Sequence, residues 1–346
     1  MSTTTLGIQS PQQTAQALPY GALAREIEAV LKDASVDVPP RIVQALHGGG
    51  SLFVMPAHDA QVAITKLISF IPSNAQRGLP TIQGDIVVFD VQTGQRLAVL
   101  DGPTVTARRT AAVSLLAAQT LAPRRDGPLL IVGAGVQGRA HLEAFHEGLG
   151  VQEVFIASRS AASADALVAH AQGLGMRATR VDDPNAALAH CPWVVSSTPA
   201  QEVVLTGMPR SDAFVAAVGA FTPRMVEWAP EVCQHLTEQG TLVARKIGNV
   251  EVGAYAHRSY LARRSAIRQP PDLLLHDLQR LASTVRIQVA GWFIGQHQGR
   301  PVDQRTHQRD PLLLAAGQLR RQCMAALCQA DAGQRIRRAT HRGVMV

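Results

Sequence analysis

Apolar residues at helical spacing form the first predicted element of this chain. Residues 20–33 (YGALAREIEAVLKD) place apolar side chains on one face of a helix, which predicts an amphipathic helix. Pro39-Pro40 then interrupt regular structure and predict an extended segment. Residues 51–56 (SLFVMP) and 61–71 (QVAITKLISFI) are dominated by apolar and β-branched side chains, and each stretch predicts a strand.

A hairpin and a long helix are predicted next. Residues 81–90 (TIQGDIVVFD) and 95–101 (QRLAVLD) predict two strands joined across Gln92-Thr93-Gly94, where glycine suits a tight turn. A helix is predicted from about Thr104 to Leu121, and it ends at Ala122-Pro123 because proline cannot continue a helix.

From Pro128 the pattern changes to short apolar runs that alternate with helical segments. Such an alternation is typical of a doubly wound parallel sheet in an α/β protein. The predicted strands are PLLIVGAG (128–135), EVFIASR (153–159), WVVSST (193–198), AFVAAVGA (213–220) and TLVAR (241–245). The polar stretch Arg124–Gly127 separates the two patterns, so we predict one domain over residues 1–125 and a second over 126–244.

The sharpest local motif is Gly133-Ala134-Gly135-Val136-Gln137-Gly138, which follows a predicted strand and opens a predicted helix. In this context Gly133 permits a tight turn, Gly135 lets the backbone approach a pyrophosphate, and Gly138 lets the helix pack on the strand. The helix N-terminus then faces the anion. The motif favours a dinucleotide site, and the alternative is a glycine-rich turn without a ligand.

The end of the next strand indicates which dinucleotide is bound. An NAD site places an acidic side chain about 20 residues past the glycine motif, where it binds the ribose 2′-hydroxyl. This chain has Ser158-Arg159-Ser160 there, and a guanidinium flanked by hydroxyls suits a 2′-phosphate. The sequence therefore favours NADPH over NADH. The alternative is a solvated loop arginine.

Composition narrows the class of protein. The 346 residues are 46% hydrophobic, 17% charged and 4% aromatic, which excludes a coiled coil and a disordered acidic chain. No apolar run reaches the roughly 18–20 residues that span a bilayer, and the stretch before Arg25 lacks the features of a secretory signal. The four cysteines form no CxxC pair, and His141 and His146 lie off one helix face, so no metal is expected. We expect a soluble cytoplasmic enzyme without a nucleic-acid or membrane partner.

The charge distribution divides the chain near residue 244. Residues 245–346 hold 16 Arg and 1 Lys against 6 acidic residues, a net charge of +11, whereas residues 1–244 carry −4. The arginines are scattered without period, which argues against a basic nucleic-acid or membrane arm. A divergent folded subdomain and an out-of-frame or fused coding sequence remain open, and the shortage of Glu and Lys favours the latter. We expect this atypical tail not to complete the fold.

Three basic residues of the first domain have competing explanations. Lys66 lies within the apolar strand VAITKLISFI, either as a strand-edge residue whose ammonium reaches water or as an inward ammonium that serves a site. Arg108-Arg109 lie early in a predicted helix, where cations oppose the helix dipole. They are either surface charge or part of a carboxylate clamp. Arg41, just past the two prolines, is either a third member of such a clamp or a loop residue.

An ordered set of motifs in this chain resembles the ornithine cyclodeaminase/mu-crystallin family. The set covers about residues 15–243 and is far more specific than any one of its members. It consists of Pro40-Arg41, the Lys66 strand with Ile71-Pro72-Ser73-Asn74, Gly78-Leu79-Pro80-Thr81-Ile82-Gln83-Gly84, Arg109-Thr110-Ala111-Ala112 and Gly133–Gly138. The resemblance implies an α+β substrate-binding and dimerisation domain joined to a Rossmann domain, in a homodimer.

The resemblance also implies site residues. Arg41, Lys66 and Arg109 would hold the substrate carboxylate region. The expected cofactor residues, which include the glycines of the motif, are Thr81, Gly133, Gly135, Val136, Gln137, Gly138, Ser158, Arg159, Ser160, Thr198, Val218 and Gly219.

One position separates the two chemistries of the resembled family. Cyclodeaminases carry an aspartate general base just after the Val-Gly pair of the fifth strand, and this chain has Phe221 at the matching place, after Val218-Gly219. Because phenylalanine cannot take a proton, the resemblance favours an NADPH-dependent ketimine reductase. Its substrates would be Δ1-pyrroline-2-carboxylate and Δ1-piperideine-2-carboxylate, and its products L-proline and L-pipecolate. The alternatives are an ornithine cyclodeaminase and a non-catalytic or inactive member of the family.

Overall fold

The computed structural model describes residues 8–33, 35–220, 225–232, 243–247 and 250–254. The chain divides into two compact units, and the division falls between Thr106 and Ala107. Helix α3 (Gly102–Leu121) begins in the first unit and continues in the second. The predicted domains 1–125, 126–244 and 245–346 stay a prediction.

The first unit is built on a five-stranded antiparallel sheet whose strands follow chain order. Two helices precede the sheet in the chain, and a short 3₁₀ helix, Pro72–Arg77, follows its third strand. The elements are α1 (Pro11–Gln16), α2 (Tyr20–Lys32), β1 (Ile42–Ala45), β2 (Ser51–His58), β3 (Val62–Phe70), β4 (Ile82–Asp90) and β5 (Arg96–Asp101).

Alternation explains why the predicted strands of this sheet form. Val62, Ile64, Lys66 and Ile68 of β3 lie on the buried face, and the alternate residues 63, 65 and 67 are more exposed. The helix predicted over residues 20–33 and the four predicted strands are confirmed with small changes of boundary. Strand β1 was not predicted, because its four residues, IVQA, are all exposed at the sheet edge and show no alternation.

The second unit contains a five-stranded parallel sheet in the order β10-β9-β6-β7-β8. Its central strand, β6, is buried on both faces at all four residues. The elements are β6 (Leu129–Val132), α4 (Val136–Leu149), β7 (Glu153–Ala157), α5 (Ala161–Gly173), β8 (Arg177–Arg180), α6 (Pro184–Leu188), β9 (Trp193–Ser196) and β10 (Phe214–Ala217). The predicted α/β class is confirmed, as are the strands predicted at β6, β7, β9 and β10.

The strand predicted over residues 241–245 is wrong as a member of the parallel sheet. Strand β11 (Val243–Ile247) pairs antiparallel with β12 (Val250–Ala254) in a separate two-stranded sheet. Only Gly248-Asn249 separates the two strands in sequence, a pair typical of tight hairpin connections, and hairpin pairing needs no crossover. The fifth place in the parallel sheet belongs to β8, whose sequence RATR is mostly exposed and carries no apolar signal.

The predictions for the basic tail lie largely outside the described residues. Only β11 and β12 fall near the compositional change at residue 244, and residues 255–346 are not described. Across the described ranges, no helix combines the length and the apolar character needed to cross a membrane.

Candidate functional site

The glycine-rich turn joins the central strand β6 to helix α4. Gly133 has a φ of +107°, and a Cβ there would lie 2.7 Å from the carbonyl oxygen of Ser197, so a side chain would be strained and crowded. A Cβ on Gly138 would run into the carbonyl oxygen of Gly133 and lie 3.2 Å from Cγ2 of Ile131. The geometry therefore requires glycine at both positions, at Gly133 for the tight turn and at Gly138 for the close packing of helix on strand, as the sequence predicts.

Space at the helix N-terminus lies open for an anion. Gly135 is the N-cap residue of α4, and nothing lies within 4 Å of the position of a Cβ on it. Val136, the first residue of this 14-residue helix, is 71% exposed. In the described part of the chain, Oε1 of Gln137 is buried without a hydrogen-bond partner. An open approach and a helix N-terminus fit an anion such as the pyrophosphate of a dinucleotide.

The predicted ribose-binding residues follow β7, next to the glycine turn. Ser160 is the N-cap residue of α5, and its hydroxyl accepts hydrogen bonds from the backbone N–H and the hydroxyl of Ser163 at 3.2 and 3.1 Å. Arg159 is exposed and Ser158 is half-buried. The guanidinium is therefore available at a helix N-terminus, which favours negative charge.

The ends of β9 and β10 meet around a carboxylate that the sequence prediction missed. Oε1 of Glu227 accepts hydrogen bonds from the backbone N–H of Thr198 at 2.7 Å and from its hydroxyl at 3.0 Å. Oε2 accepts the backbone N–H of Gly219 at 2.9 Å. Val218, the other predicted residue here, donates its N–H to the carbonyl of Ser196. Thr198, Val218 and Gly219 thus lie together, and Glu227 joins them.

Glu227 is 4% exposed, and burial raises the pKa of its carboxyl above the ordinary value. Hydrogen bonds from Thr198, Gly219 and Ser196 act in the opposite direction, because they stabilise the carboxylate. The sequence offers one weak signal for this residue, an acid placed between the apolar Val226 and Trp228. Phe221, the residue expected from the resemblance to separate the two chemistries, lies outside the described residues.

Helices α3 and α4 are joined by a buried hydrogen bond. Nε2 of His141 lies 2.8 Å from the hydroxyl of Ser114, and its Nδ1 lies 2.8 Å from the carbonyl oxygen of Gln137. Since only a protonated Nδ1 can bond to a carbonyl, Nε2 accepts the Ser114 proton in the neutral ring. Burial lowers the pKa of His141 to about 4. His141 therefore packs between helices, and within the described ranges no cluster of three or more His, Cys, Asp or Glu could hold a metal.

Lys66 lies on the buried face of the antiparallel sheet of the first unit. Its neighbours across the strands are Met55, Ile86 and, one strand further, Leu100, and each is buried. The lysine is 4% exposed, and its Nζ donates a hydrogen bond to Oγ1 of Thr106 at 2.7 Å. The strand-edge explanation is therefore wrong, and the ammonium points inward.

The remaining predicted residues of the first unit differ in exposure. Arg41 is exposed, with its Cζ 6.0 Å from the centre of the Phe53 ring. Thr81 is half-buried in the loop before β4, and its carbonyl accepts the N–H of Ile71 at 2.8 Å. Buried Asn74 donates to the carbonyl of Pro80 at 2.9 Å, which holds this loop in place.

The adjacent arginines of α3 have different environments. Arg108 lies 3.8 Å from Glu143 of α4 in an ion pair, and its side chain is 14% exposed. Arg109 is 7% exposed in the second unit. Neither arginine is therefore the exposed surface charge that one of the two explanations of Arg108-Arg109 expected.

Comparisons with known sequences add a family and its activities. The model of the ornithine cyclodeaminase/mu-crystallin family matches residues 9–264, which extends past the compositional change near residue 244. Δ1-Pyrroline-2-carboxylate reductase 1 of Burkholderia multivorans is 36% identical over 228 residues, or 63% of this chain and 71% of that protein. Ketimine reductase mu-crystallin of Rattus norvegicus is 34% identical over 61% of this chain and 66% of that protein.

Solved structures share the fold. An archaeal alanine dehydrogenase dimer with bound NAD matches with a TM-score of 0.58 and 25% identity, over 64% of this chain and 70% of that chain. Δ1-Pyrroline-2-carboxylate reductase of Thermococcus litoralis, in complex with NADH and L-proline, matches with a TM-score of 0.56 and 26% identity. The second match covers 65% of this chain and 69% of that chain.

Proposed function

This chain belongs to the ornithine cyclodeaminase/mu-crystallin family, and from that premise we propose that it is a nicotinamide-dependent reductase of cyclic ketimine carboxylates. The reaction adds a hydride to the carbon of the C=N bond and a proton to the nitrogen. Its substrates are Δ1-pyrroline-2-carboxylate and Δ1-piperideine-2-carboxylate, and its products are L-proline and L-pipecolate. The observation that carries the proposal is the open glycine turn at the central strand, in a chain whose relatives are named as such reductases.

All but one of the proposed cofactor residues lie along the carboxyl edge of the parallel sheet. Gly133, Gly135, Val136, Gln137 and Gly138 would hold the pyrophosphate region, since the helix N-terminus and open backbone suit an anion. Thr198, Val218 and Gly219 would border the nicotinamide half, and Thr81 of the first unit is proposed as a further cofactor residue. When bound, the reduced nicotinamide supplies the hydride.

NADPH is the proposed cofactor. Ser158, Arg159 and Ser160 would bind its 2′-phosphate, because an exposed guanidinium and two hydroxyls lie beside the α5 N-terminus. None of these three residues carries the negative charge with which an NAD site binds a free 2′-hydroxyl.

Arg41, Lys66 and Arg109 are the proposed substrate residues. Arginine binds a carboxylate through two parallel hydrogen bonds, and this would orient the substrate carbon toward the hydride. Lys66, whose ammonium is held on the buried face of its sheet, would supply the proton or orient a water that does.

We propose that the chain forms a homodimer through its antiparallel sheet. Ile42, Val54 and Leu67 lie in one cross-strand row on the same face, and Ile42 and Leu67 are 59% and 42% exposed. Apolar side chains exposed in a contiguous row are typical of an interface. A second copy of the chain is the proposed occupant, since the similar alanine dehydrogenase is a dimer.

Turnover of purified full-length chain tests the activity. With NADPH and Δ1-piperideine-2-carboxylate, we expect loss of the nicotinamide absorbance and formation of L-pipecolate. With ornithine and NAD, we expect no ammonia, because Phe221 cannot act as a general base. Ammonia release at a comparable rate would make the chain a cyclodeaminase. NADPH binding without reduction of either ketimine would make it a non-catalytic binder.

A further inference from the structure

The order of strands in the parallel sheet divides the cofactor edge into two halves. The chain runs from β6 to β7 and β8 on one side and returns through β9 to β10 on the other. A dinucleotide binds across this reversal of strand order, outside the carboxyl ends of the strands. Because Ser158–Ser160 follow β7, the adenosine half belongs on that side. The nicotinamide half then belongs at the ends of β9 and β10, where Thr198 and Gly219 lie.

A short segment holds Glu227 against these two strand ends. Val204 and Leu205 donate their N–H groups to the carbonyl oxygen of Glu227 at 3.0 and 2.9 Å. Trp228, the next residue, donates its Nε1 proton to the hydroxyl of Ser196, the last residue of β9, at 3.1 Å. The backbone of Glu227 is therefore fixed, and its carboxylate is directed to Thr198 and Gly219.

The Glu227 carboxylate also helps to explain why residue 219 is a glycine. A Cβ on Gly219 would lie 2.6 Å from Oε1 of Glu227 and would collide with the backbone of Thr198. The loops that follow β9 and β10 thus approach each other as closely as backbone permits, with one carboxylate accepting an N–H from each. A carboxylate can do this because both of its oxygens are acceptors.

We infer that Glu227 is a positioning residue for the nicotinamide half of the cofactor, acting through Thr198 and Gly219. This inference rests on the proposed function. A glutamine at this position has one acceptor oxygen and one NH₂ group. Whichever way the amide is turned, the NH₂ faces a backbone N–H, of Thr198 or of Gly219, and one of the two strand-end loops loses its anchor.

Binding of whole and half cofactor by the full-length chain tests the inference. In Glu227→Gln, we expect the Kd for NADPH to rise about tenfold or more, as for loss of a charge-assisted hydrogen bond. The Kd for 2′,5′-adenosine bisphosphate, which carries only the adenosine half, should stay unchanged. Glu231→Gln is the matched control, because Glu231 is exposed on the same segment, and both constants should stay unchanged in it. Titration calorimetry measures all of these constants.

A second pair of variants separates positioning from folding. Thr198→Val removes one donor to the carboxylate without changing the size of the side chain much, and Thr198→Ser restores that donor. We expect a smaller rise in the Kd for NADPH in Thr198→Val, recovery in Thr198→Ser, and an unchanged constant for the adenosine probe in both. If Glu227→Gln does not fold, an unchanged Kd for NADPH in Thr198→Val overturns the inference.

Three outcomes would contradict the inference, and one of them would also contradict the proposed function. An unchanged Kd for NADPH in the variants overturns the inference alone. An equal rise for NADPH and for the adenosine probe also overturns it, since general disruption of the domain would affect both halves. A wild-type chain that binds neither NADPH nor NADH overturns the proposed function, and the inference with it.

Discussion

The ammonium of Lys66 donates a 2.7 Å hydrogen bond to the hydroxyl of Thr106, in the second turn of helix α3. Thr106 donates its single hydroxyl proton to the carbonyl oxygen of Gly102, also at 2.7 Å. The hydroxyl oxygen can therefore only accept from the lysine. This chain of two bonds fixes the direction of the Lys66 side chain on an otherwise apolar sheet face.

Removal of the Thr106 hydroxyl should disturb Lys66. In Thr106→Val we expect unfolding to become easier by about 1–3 kcal/mol, because a buried ammonium loses an acceptor. Ketimine reduction should fall by about tenfold, since the ammonium is no longer oriented. Urea denaturation and initial rates measure the two effects. Thr106→Ser keeps the hydroxyl and should restore both, and a Thr106→Ser variant as impaired as Thr106→Val would contradict the explanation.

Lys66→Met should separate stability from activity. The lysine lies among Met55, Ile86 and Leu100, so an apolar side chain of similar length should leave the unfolding free energy unchanged or increase it. Ketimine reduction should fall by about 100-fold or more, while NADPH binding stays intact. Thermal denaturation, initial rates and cofactor titration test these outcomes together. A variant that is less stable but fully active would show that the ammonium serves only the fold.

The Arg159→Asp substitution tests the choice of cofactor. We expect NADPH binding to weaken by about 1–3 kcal/mol and NADH binding to change little, because only NADPH carries the 2′-phosphate. Arg177→Asp, the same charge reversal on the neighbouring strand β8, is the control and should leave both affinities unchanged. Equal affinity of the wild-type chain for the two cofactors would refute the preference for NADPH.

Burial of His141 should make stability depend on pH in a defined window. The pKa of His141 is lowered from 6.5 to about 4, mainly by burial, so the unfolded chain takes up a proton at a higher pH than the folded chain does. The stabilisation is complete above pH 6.5 and is lost as the pH falls toward 4, an effect of about 3 kcal/mol. His141→Asn should be less stable than wild type at pH 7 and show a shallower decline on acidification. In the control His190→Asn, an exposed position, the wild-type slope should persist.

Charge on the exposed apolar row should prevent dimer formation. In Leu67→Glu we expect a monomer in sedimentation experiments where the wild-type chain is a dimer, because a carboxylate would be buried at the interface without a partner. Thr93→Glu, an exposed change in the turn between β4 and β5, should leave the dimer intact. A wild-type chain that is already monomeric at working concentrations would remove the basis for the proposed interface.

Local chemistry explains why the cofactor turn and most strands could be predicted. The properties of Gly133, Gly135 and Gly138 depend on a strand and a helix that adjoin them in sequence, so the motif and its context are contiguous. The parallel sheet was predictable for the same reason, since its inner strands are uninterrupted apolar runs. Strand β8 was not predicted, because an exposed edge strand lacks an apolar pattern. The antiparallel pairing of β11 was not predicted either, because the sequence of one strand does not specify which strand it pairs with.

The sequence by itself determined the class of fold and the position of the dinucleotide turn, because each rests on residues that lie close to one another along the chain. It also determined the family, because the motifs of the family occur in a fixed order along the chain. Only the tertiary structure decided which polar residues turn inward. Lys66 meets Thr106 across 40 positions, and Glu227 meets Thr198 across 29. A buried charged group must find hydrogen-bond partners wherever the fold brings them, and those partners come from distant segments that no local pattern connects.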